Sequence, residues 1–394
     1  MHKNFNRIIL TTSLICFVVN YFFLIELQKL WMAAQHIFFD FRGQWALCAY
    51  TVHFVDPYPL VGIKTPLIEE FGNIPTGWST TPWGLILGNF FYPGFLSAED
   101  AVIYFLALNI FFLLWIVKIC KKIFIADGLN FVLMALPAFF ASFYISVYFG
   151  NAGAIICCLL ILSCLYSDER PILAGILLAL AMVKPQVALP VCFALLLRKN
   201  FKVLATAAII NFAAWGVASF MTNQPPLTLL TEFFSINTRG EAAFSGLFTL
   251  IFPENKLLAM LTSMTAGFLF IWLTWRFGFK HEKIFWAVPA CLATTFFSYS
   301  FHNEFFILIM PALACLYFAV RAEFLSWKIF WLAAFVFLAS GVYALFILLK
   351  NFLGDLQTDF WLARTIFAVA LILLGFLMTK NFKTQCRTAV TFQK

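Results

Sequence analysis

Apolar runs long enough to cross a bilayer recur along this chain and leave room for little else. They fall near 8–27, 101–117, 129–149, 203–221, 257–275, 284–301, 304–320, 329–349 and 360–379. A hydrocarbon core of about 30 Å takes roughly 20 apolar residues per helix, and backbone in lipid has to satisfy its own hydrogen bonds. Each run therefore reads as a membrane helix. Three shorter apolar pieces lie near 152–166, 171–183 and 187–197, and counting them as crossings gives about twelve. The chain is 63% hydrophobic and 11% charged, far from the roughly 45–50% and about 25% of soluble domains. The reading is one all-α polytopic membrane bundle over 1–394.

Charge placement orients it. With the N-terminus inside, the inner segments carry 18 of the 26 lysines and arginines, in short groups such as Lys118, Lys121 and Lys122 or Arg198, Lys199 and Lys202. That is the positive-inside pattern. It also explains the net charge of +8 without nucleic acid, because no basic stripe or aromatic-basic RNA motif is present. The run at 8–27 has no small-x-small cleavage site after it and reads as a retained first span. Residues 28–100 form a long first outer loop with interfacial helices, and 222–256 a second outer loop. Loops of that length usually have a function.

The segment 171–197 is ambiguous. One long helix would bury Lys184 near the bilayer centre, at about 2.5–3.5 kcal/mol, and would put Arg198, Lys199 and Lys202 outside. Two short helices turning at Lys184-Pro185-Gln186 avoid both. Short crossings are tolerable only where protein or a water-filled cavity surrounds their ends.

The outer side offers few polar groups in an apolar setting: Asp40 and Arg42, Lys184 and Gln186, Arg239, and His302-Asn303-Glu304. A carboxylate such as Asp40 near the membrane surface is costly unless it has a partner or a task. The set suits transfer of a group from a lipid-phosphate carrier. Asp40 can take a proton from an acceptor hydroxyl. Lys184, Arg239 and His302 can hold the phosphate as charge develops on it. Arg42, Gln186, Asn303 and Tyr58 are candidates for substrate binding, although Asp56-Pro57-Tyr58-Pro59 also reads simply as a turn. Each residue has a plain alternative: an ion pair with Arg42 for Asp40, snorkelling for Lys184, a solvated loop charge for Arg239, a helix-end histidine for His302. There is no D-x-D pair in the first outer loop and no metal-ligand spacing, so no metal or other cofactor is expected. Cys157-Cys158 reads as apolar filler.

Three places carry a resemblance to glycosyltransferase family 87, membrane enzymes of the GT-C fold that include bacterial polyprenyl-phosphate-mannose-dependent mannosyltransferases. They are Asp40-Phe41 followed by Asp56-Pro57-Tyr58, Lys184-Pro185-Gln186 after Gly175 and a short apolar helix, and the stretch from Ser298 through His302 to Pro311. The resemblance implies a GT-C-like bundle, a sugar (mannose or another hexose or pentose) on polyprenyl phosphate as donor, and a glycan or glycolipid acceptor. It further implies an inverting, metal-independent reaction with Asp40 as base and Lys184 and His302 at the donor site. The implied location is a bacterial plasma membrane, with the site facing the extracytoplasmic side. Three departures from the family pattern are visible: Trp45 as the nearest match to a tyrosine that follows the aspartate by a few residues, Thr81-Pro82-Trp83 for Tyr-Pro-Pro, and Gly150-Asn151-Ala152-Gly153 for Gly-Gln-x-Asn.

Two other classes fit the span count. A transporter or lipid-linked-sugar flippase would show matching halves and midplane charges, and neither is found. A polysaccharide polymerase or ligase would be expected to carry an arginine-rich outer loop, whereas 222–256 holds one arginine, Arg239.

Overall fold

The computed structural model describes residue 18, residues 38–61, 80–124 and 141–239, residue 252, and residues 255–279, 285–294, 306–353 and 366–381. Apart from residue 18, the first span expected at 8–27 lies outside this set. Every regular element among the described residues is helical. In chain order they are α1 (Phe39–Val52), a 3-10 turn (Tyr58–Leu60), α2 (Gly84–Leu87), α3 (Ala98–Phe124), α4 (Ala141–Phe149), α5 (Gly153–Tyr166), α6 (Pro171–Ala181) and α7 (Pro185–Leu197). They continue with α8 (Phe201–Thr222), α9 (Pro226–Arg239), α10 (Lys256–Thr274), α11 (Val288–Ala293), α12 (Ile309–Arg321) and α13 (Leu325–Leu353), and α14 (Ile366–Asn381).

Among the described residues, three segments are long and apolar enough to cross a membrane: Ala98–Ile119, Phe201–Thr222 and Leu257–Phe279. Their outward faces are apolar. Ile103, Ile110, Phe111 and Leu114 on α3 and Ile209, Phe212 and Phe220 on α8 are all exposed. Contiguous surface of this kind is stable only against lipid or protein, which marks an integral membrane protein. Local chemistry sets the ends of these helices. Ser97 opens α3, its Oγ accepting from the Asp100 N–H at 3.2 Å and donating to Asp100 Oδ2 at 2.9 Å, a reciprocal capping arrangement. Asn255 caps α10 by accepting from the Leu258 N–H at 3.0 Å.

The interior is built from helices too short to span lipid alone. Helix α5 is buried from Gly153 to Cys164, Cys157 and Cys158 included. At 1.5 Å per residue it rises about 20 Å, and α6 less. Helix α5 is enclosed by protein, against α3 and α6 among others, and α6 packs on α5 and α8 while Ile172 and Ile176 on its other side are exposed. Gly175 permits the contact with α8, since a Cβ there would lie 2.5 Å from Thr206 Cβ and 2.9 Å from the Val203 carbonyl. Small residues at a crossing let helix backbones approach in this way.

Contacts sort the bundle into two ends. Trp115 on α3 reaches Tyr166 at the end of α5, and Arg170 stacks on the same ring. Arg198 pairs with Asp168 and covers the Trp286 ring. Phe285 packs on Tyr317, which also carries Arg321. Lys118, Arg170, Arg198, Lys199, Lys202 and Arg321 thus belong to one end. Asn151, which precedes α5, and Lys184, which follows α6, belong to the other.

Helix α1, within the 28–100 segment, is packed into the bundle. Phe41, Trp45, Ala46, Leu47, Cys48, Ala49 and Tyr50 are all buried, and the helix packs on α2, α3, α4 and α8. The reason is compositional: beyond Asp40 and Arg42 it carries no charge that could form a solvated stripe.

Candidate active site

The break after α6 follows from Pro185. A residue before proline is pushed out of helical geometry, and Lys184 has φ −116° and ψ 82°. Its N–H reaches back to the Ala181 carbonyl at 3.1 Å, and its carbonyl accepts from Val187 and Ala188 at 3.1 and 3.2 Å. Lys184 is therefore the N-cap of α7, with Pro185 in the first turn, where its missing N–H costs nothing. The turn is tied to the segment before α2 by Trp83, whose indole N–H donates to the Met182 carbonyl at 2.8 Å. Trp83 also meets the Trp215 ring edge-on, centroids 6.5 Å apart.

A second turn joins α4 to α5. Gly150 sits in the left-handed region at φ 68°. A Cβ there would be 2.4 Å from Phe41 Cβ and 2.9 Å from Phe38 Cδ1, so the missing side chain lets the start of α1 press on this turn. The Phe38 N–H donates to the Tyr148 carbonyl at 3.0 Å. Ser146 holds the next residue from both sides: its carbonyl accepts from the Asn151 N–H at 2.7 Å and its Oγ donates to the Asn151 carbonyl at 2.5 Å. Tyr92 closes the packing. Its hydroxyl accepts from the Ala152 N–H at 2.7 Å, and its ring stacks on Phe105, centroids 5.7 Å apart. Burial pushes the Tyr92 hydroxyl well above the usual phenol range; the Ala152 bond opposes this and the nearby Asp40 charge adds to it.

These two turns bring Asp40 and Lys184 to one side chain. Asn151 Nδ2 donates to Asp40 Oδ2 at 2.6 Å. Lys184 Nζ donates to Asn151 Oδ1 at 2.7 Å, and that oxygen also accepts from the Gly153 N–H at 2.9 Å. All three side chains are half-buried. Asp40 lies in the first turn of α1, Asn151 just before α5, and Lys184 caps α7, so three helix N-termini converge here. Each contributes the positive end of a helix dipole and orphan N–H groups, which favour an anion. The chemical capability is a carboxylate base beside a cation, in surroundings that hold negative charge.

The remaining expected residues distribute unevenly. Arg42 is exposed on α1, two residues past Asp40. Gln186 is half-buried in the first turn of α7, adjacent in sequence to the Lys184 turn. Tyr58 is buried, and its hydroxyl donates to the Thr80 carbonyl at 2.6 Å, so it braces the loop. Arg239 is the last residue of α9, and its side chain is outside the described set. His302 and Asn303 lie outside the described residues. Asn151 is the residue to which sequence reasoning gave no role at the site. Its signal is the Gly150-Asn151-Ala152-Gly153 turn, which stands where the family has Gly-Gln-x-Asn.

Near Tyr58 an acidic pair, Asp56 and Glu232, stands at the junction of the 3-10 turn and α9. Asp56 Oδ1 accepts from the Tyr58 N–H at 3.1 Å. Burial raises its carboxyl, opposed by that bond and by the Gln224 side chain. Burial also raises Glu232, and the Asp56 charge raises it further.

Comparison with known proteins adds one result. The family model described as glycosyltransferase family 87 matches residues 82–300. The match includes Trp83, Asn151, Lys184 and Arg239, begins after Asp40, and ends just before His302. No match was found among curated proteins or solved structures.

Proposed function

The chain belongs to glycosyltransferase family 87, and from that premise we propose that it transfers a sugar from a polyprenyl-phosphate carrier to an acceptor hydroxyl. The sugar is mannose or another hexose or pentose, and the acceptor a glycan or glycolipid. The setting is the extracytoplasmic face of a bacterial plasma membrane, and the fold is a GT-C-like bundle of about twelve crossings. The observation that carries this reading is the Asn151 side chain joining Asp40 to Lys184 where three helices begin. A lipid phosphate is an anion that such a site favours, and the acceptor hydroxyl needs a base within hydrogen-bond reach.

In this mechanism the acceptor O–H bond breaks and its proton passes to Asp40. The oxygen's electron pair forms the new bond at the anomeric carbon, and the carbon–oxygen bond to phosphate breaks with its pair leaving on the phosphate. Attack opposite the leaving group inverts the anomeric centre. Lys184 stabilises the charge that grows on the phosphate, assisted by Arg239 and His302. Arg42, Gln186 and Asn303 contact the substrates, and Tyr58 acts through the loop it braces. The basic end of the bundle, with Arg170, Arg198 and Lys202, is the cytoplasmic one under the positive-inside pattern, and the Asp40–Lys184 end then faces out.

The test is turnover of polyprenyl-phosphate hexoses (mannose, glucose and galactose) by purified protein in liposomes, with envelope extract as acceptor source. Asp40→Asn should lower kcat by about 10²–10⁴-fold, the usual contribution of a positioned base, with donor binding retained. Wild-type turnover in that variant would refute the assignment.

A further inference from the structure

We infer that Asn151 is a positioning residue that holds the base and the phosphate-binding cation at the two ends of one amide, so that Asp40 and Lys184 work as a unit. This rests on the proposed transferase reading and deepens it.

The amide orientation is dictated by its neighbours. A carboxylate only accepts and an ammonium only donates. The nitrogen must therefore face Asp40 and the oxygen Lys184, as the 2.6 and 2.7 Å contacts have it. The Gly153 N–H, also on the oxygen, fixes the same orientation from a third direction. The backbone on either side is pinned through Ser146, whose Oγ also accepts from the Ala154 N–H at 3.0 Å, and through left-handed Gly150. The bridge is thus preorganised before any substrate arrives.

Its chemistry is specific to a neutral donor–acceptor group. The amide gives the two charged groups a partner each, its nitrogen donating to Asp40 and its oxygen accepting from Lys184. A second carboxylate at this position would repel Asp40, and a hydroxyl would be too short to reach both partners. The amide keeps the proton-accepting side and the phosphate side at a set separation. Loss of the bridge lets either group shift, and a displacement of about 1 Å costs on the order of 10²-fold in rate.

Asn151→Asp and Asn151→Ala separate this role from simple support. Asn151→Asp keeps an acceptor for Lys184 and for Gly153, and it restores a donor toward Asp40 only when the introduced carboxyl and Asp40 share a proton. Like charges raise the upper apparent pKa of such a pair. In the liposome assay, kcat for polyprenyl-phosphate mannose should fall about 10²-fold in Asn151→Ala, with donor KM changing much less. Asn151→Asp should be as slow at alkaline pH and should recover as pH falls, while Asn151→Ala does not. Equal losses in both variants at every pH, or wild-type kcat in Asn151→Ala beside an inactive Asp40→Asn, would overturn the coupling and leave the transferase reading standing. An active Asp40→Asn would instead remove the base, and the coupling with it. If Asn151→Ala proves unfolded by size-exclusion chromatography, the pH profile of Asn151→Asp against wild type decides alone: recovery on acidification supports the coupling and its absence overturns it.

Discussion

The indole of Trp83 donates to the carbonyl of Met182, so the segment before α2 is fastened to the break that presents Lys184. That carbonyl lies at the end of α6, where helix C-termini have no intrahelical donor. Trp83→Phe leaves it without this partner at a half-buried position, a loss of about 1–2 kcal/mol. Thermal unfolding in detergent should show the drop. Donor KM should rise more than kcat falls, because the turn carrying Lys184 is what loosens.

Gly150→Ala should be more damaging than its size suggests. The new methyl meets Phe41 and Phe38 at 2.4 and 2.9 Å, and φ 68° costs a further 1 kcal/mol or so for a residue with a Cβ. Moving α1 outward to relieve the clash separates Asp40 from Asn151. Turnover should fall by about 10²-fold or more, beyond what lost thermal stability explains. The control is Gly216→Ala on α8, where a Cβ meets nothing within 4 Å; it should behave as wild type in both measurements.

The acidic junction at Asp56 and Glu232 gives a pH dependence with a definite sign. Both carboxyls are raised in the folded protein, so the folded state binds their protons more tightly than the unfolded one. The stabilisation is complete below the unfolded values near 4 and is lost as pH rises through the raised ones. Tyr58 and Gln224 are the other polar groups around the pair. Glu232→Gln should therefore stabilise the protein slightly at neutral pH and flatten its stability profile between acid and neutral. Glu232 is half-buried, and the screening its exposed part receives holds the gain to about 0.5 kcal/mol or less. Thermal scans across that range check it.

Sidedness is testable with single cysteines in a background cleared of native thiols. Ser97→Cys, at the Asp40 end, should react with a membrane-impermeant maleimide in intact cells. Lys199→Cys, at the basic end, should react only after permeabilisation. The reverse pattern would place the site on the cytoplasmic side and contradict the proposed orientation.

Much of this arrangement is legible in the chain because its causes are local. Pro185 dictates the break at Lys184, and the apolar periods at 101–117, 203–221 and 257–275 coincide with α3, α8 and α10. The burial of α1 is not legible. A helix with two charges near its start reads equally as a surface element, and only packing against α2, α3, α4 and α8 shows otherwise. Asn151 is hidden for the same reason. Its turn reads as a departure from a family element, while its partners lie 111 and 33 residues away, and no local pattern encodes such a meeting. Tyr58 shows the converse, a residue whose sequence setting suggested recognition and whose hydroxyl is committed to Thr80.

The unequal lengths of α6 and α8 have a consequence for access. The Lys184 turn is linked through Trp83 to the level of Trp215, and α8 continues past Trp215 to Thr222, roughly 10 Å at helical rise. The Lys184 turn therefore stands about two helical turns short of the end of α8. Under the proposed reaction, a lipid-linked donor has to bend its headgroup inward past that helix end to meet Lys184.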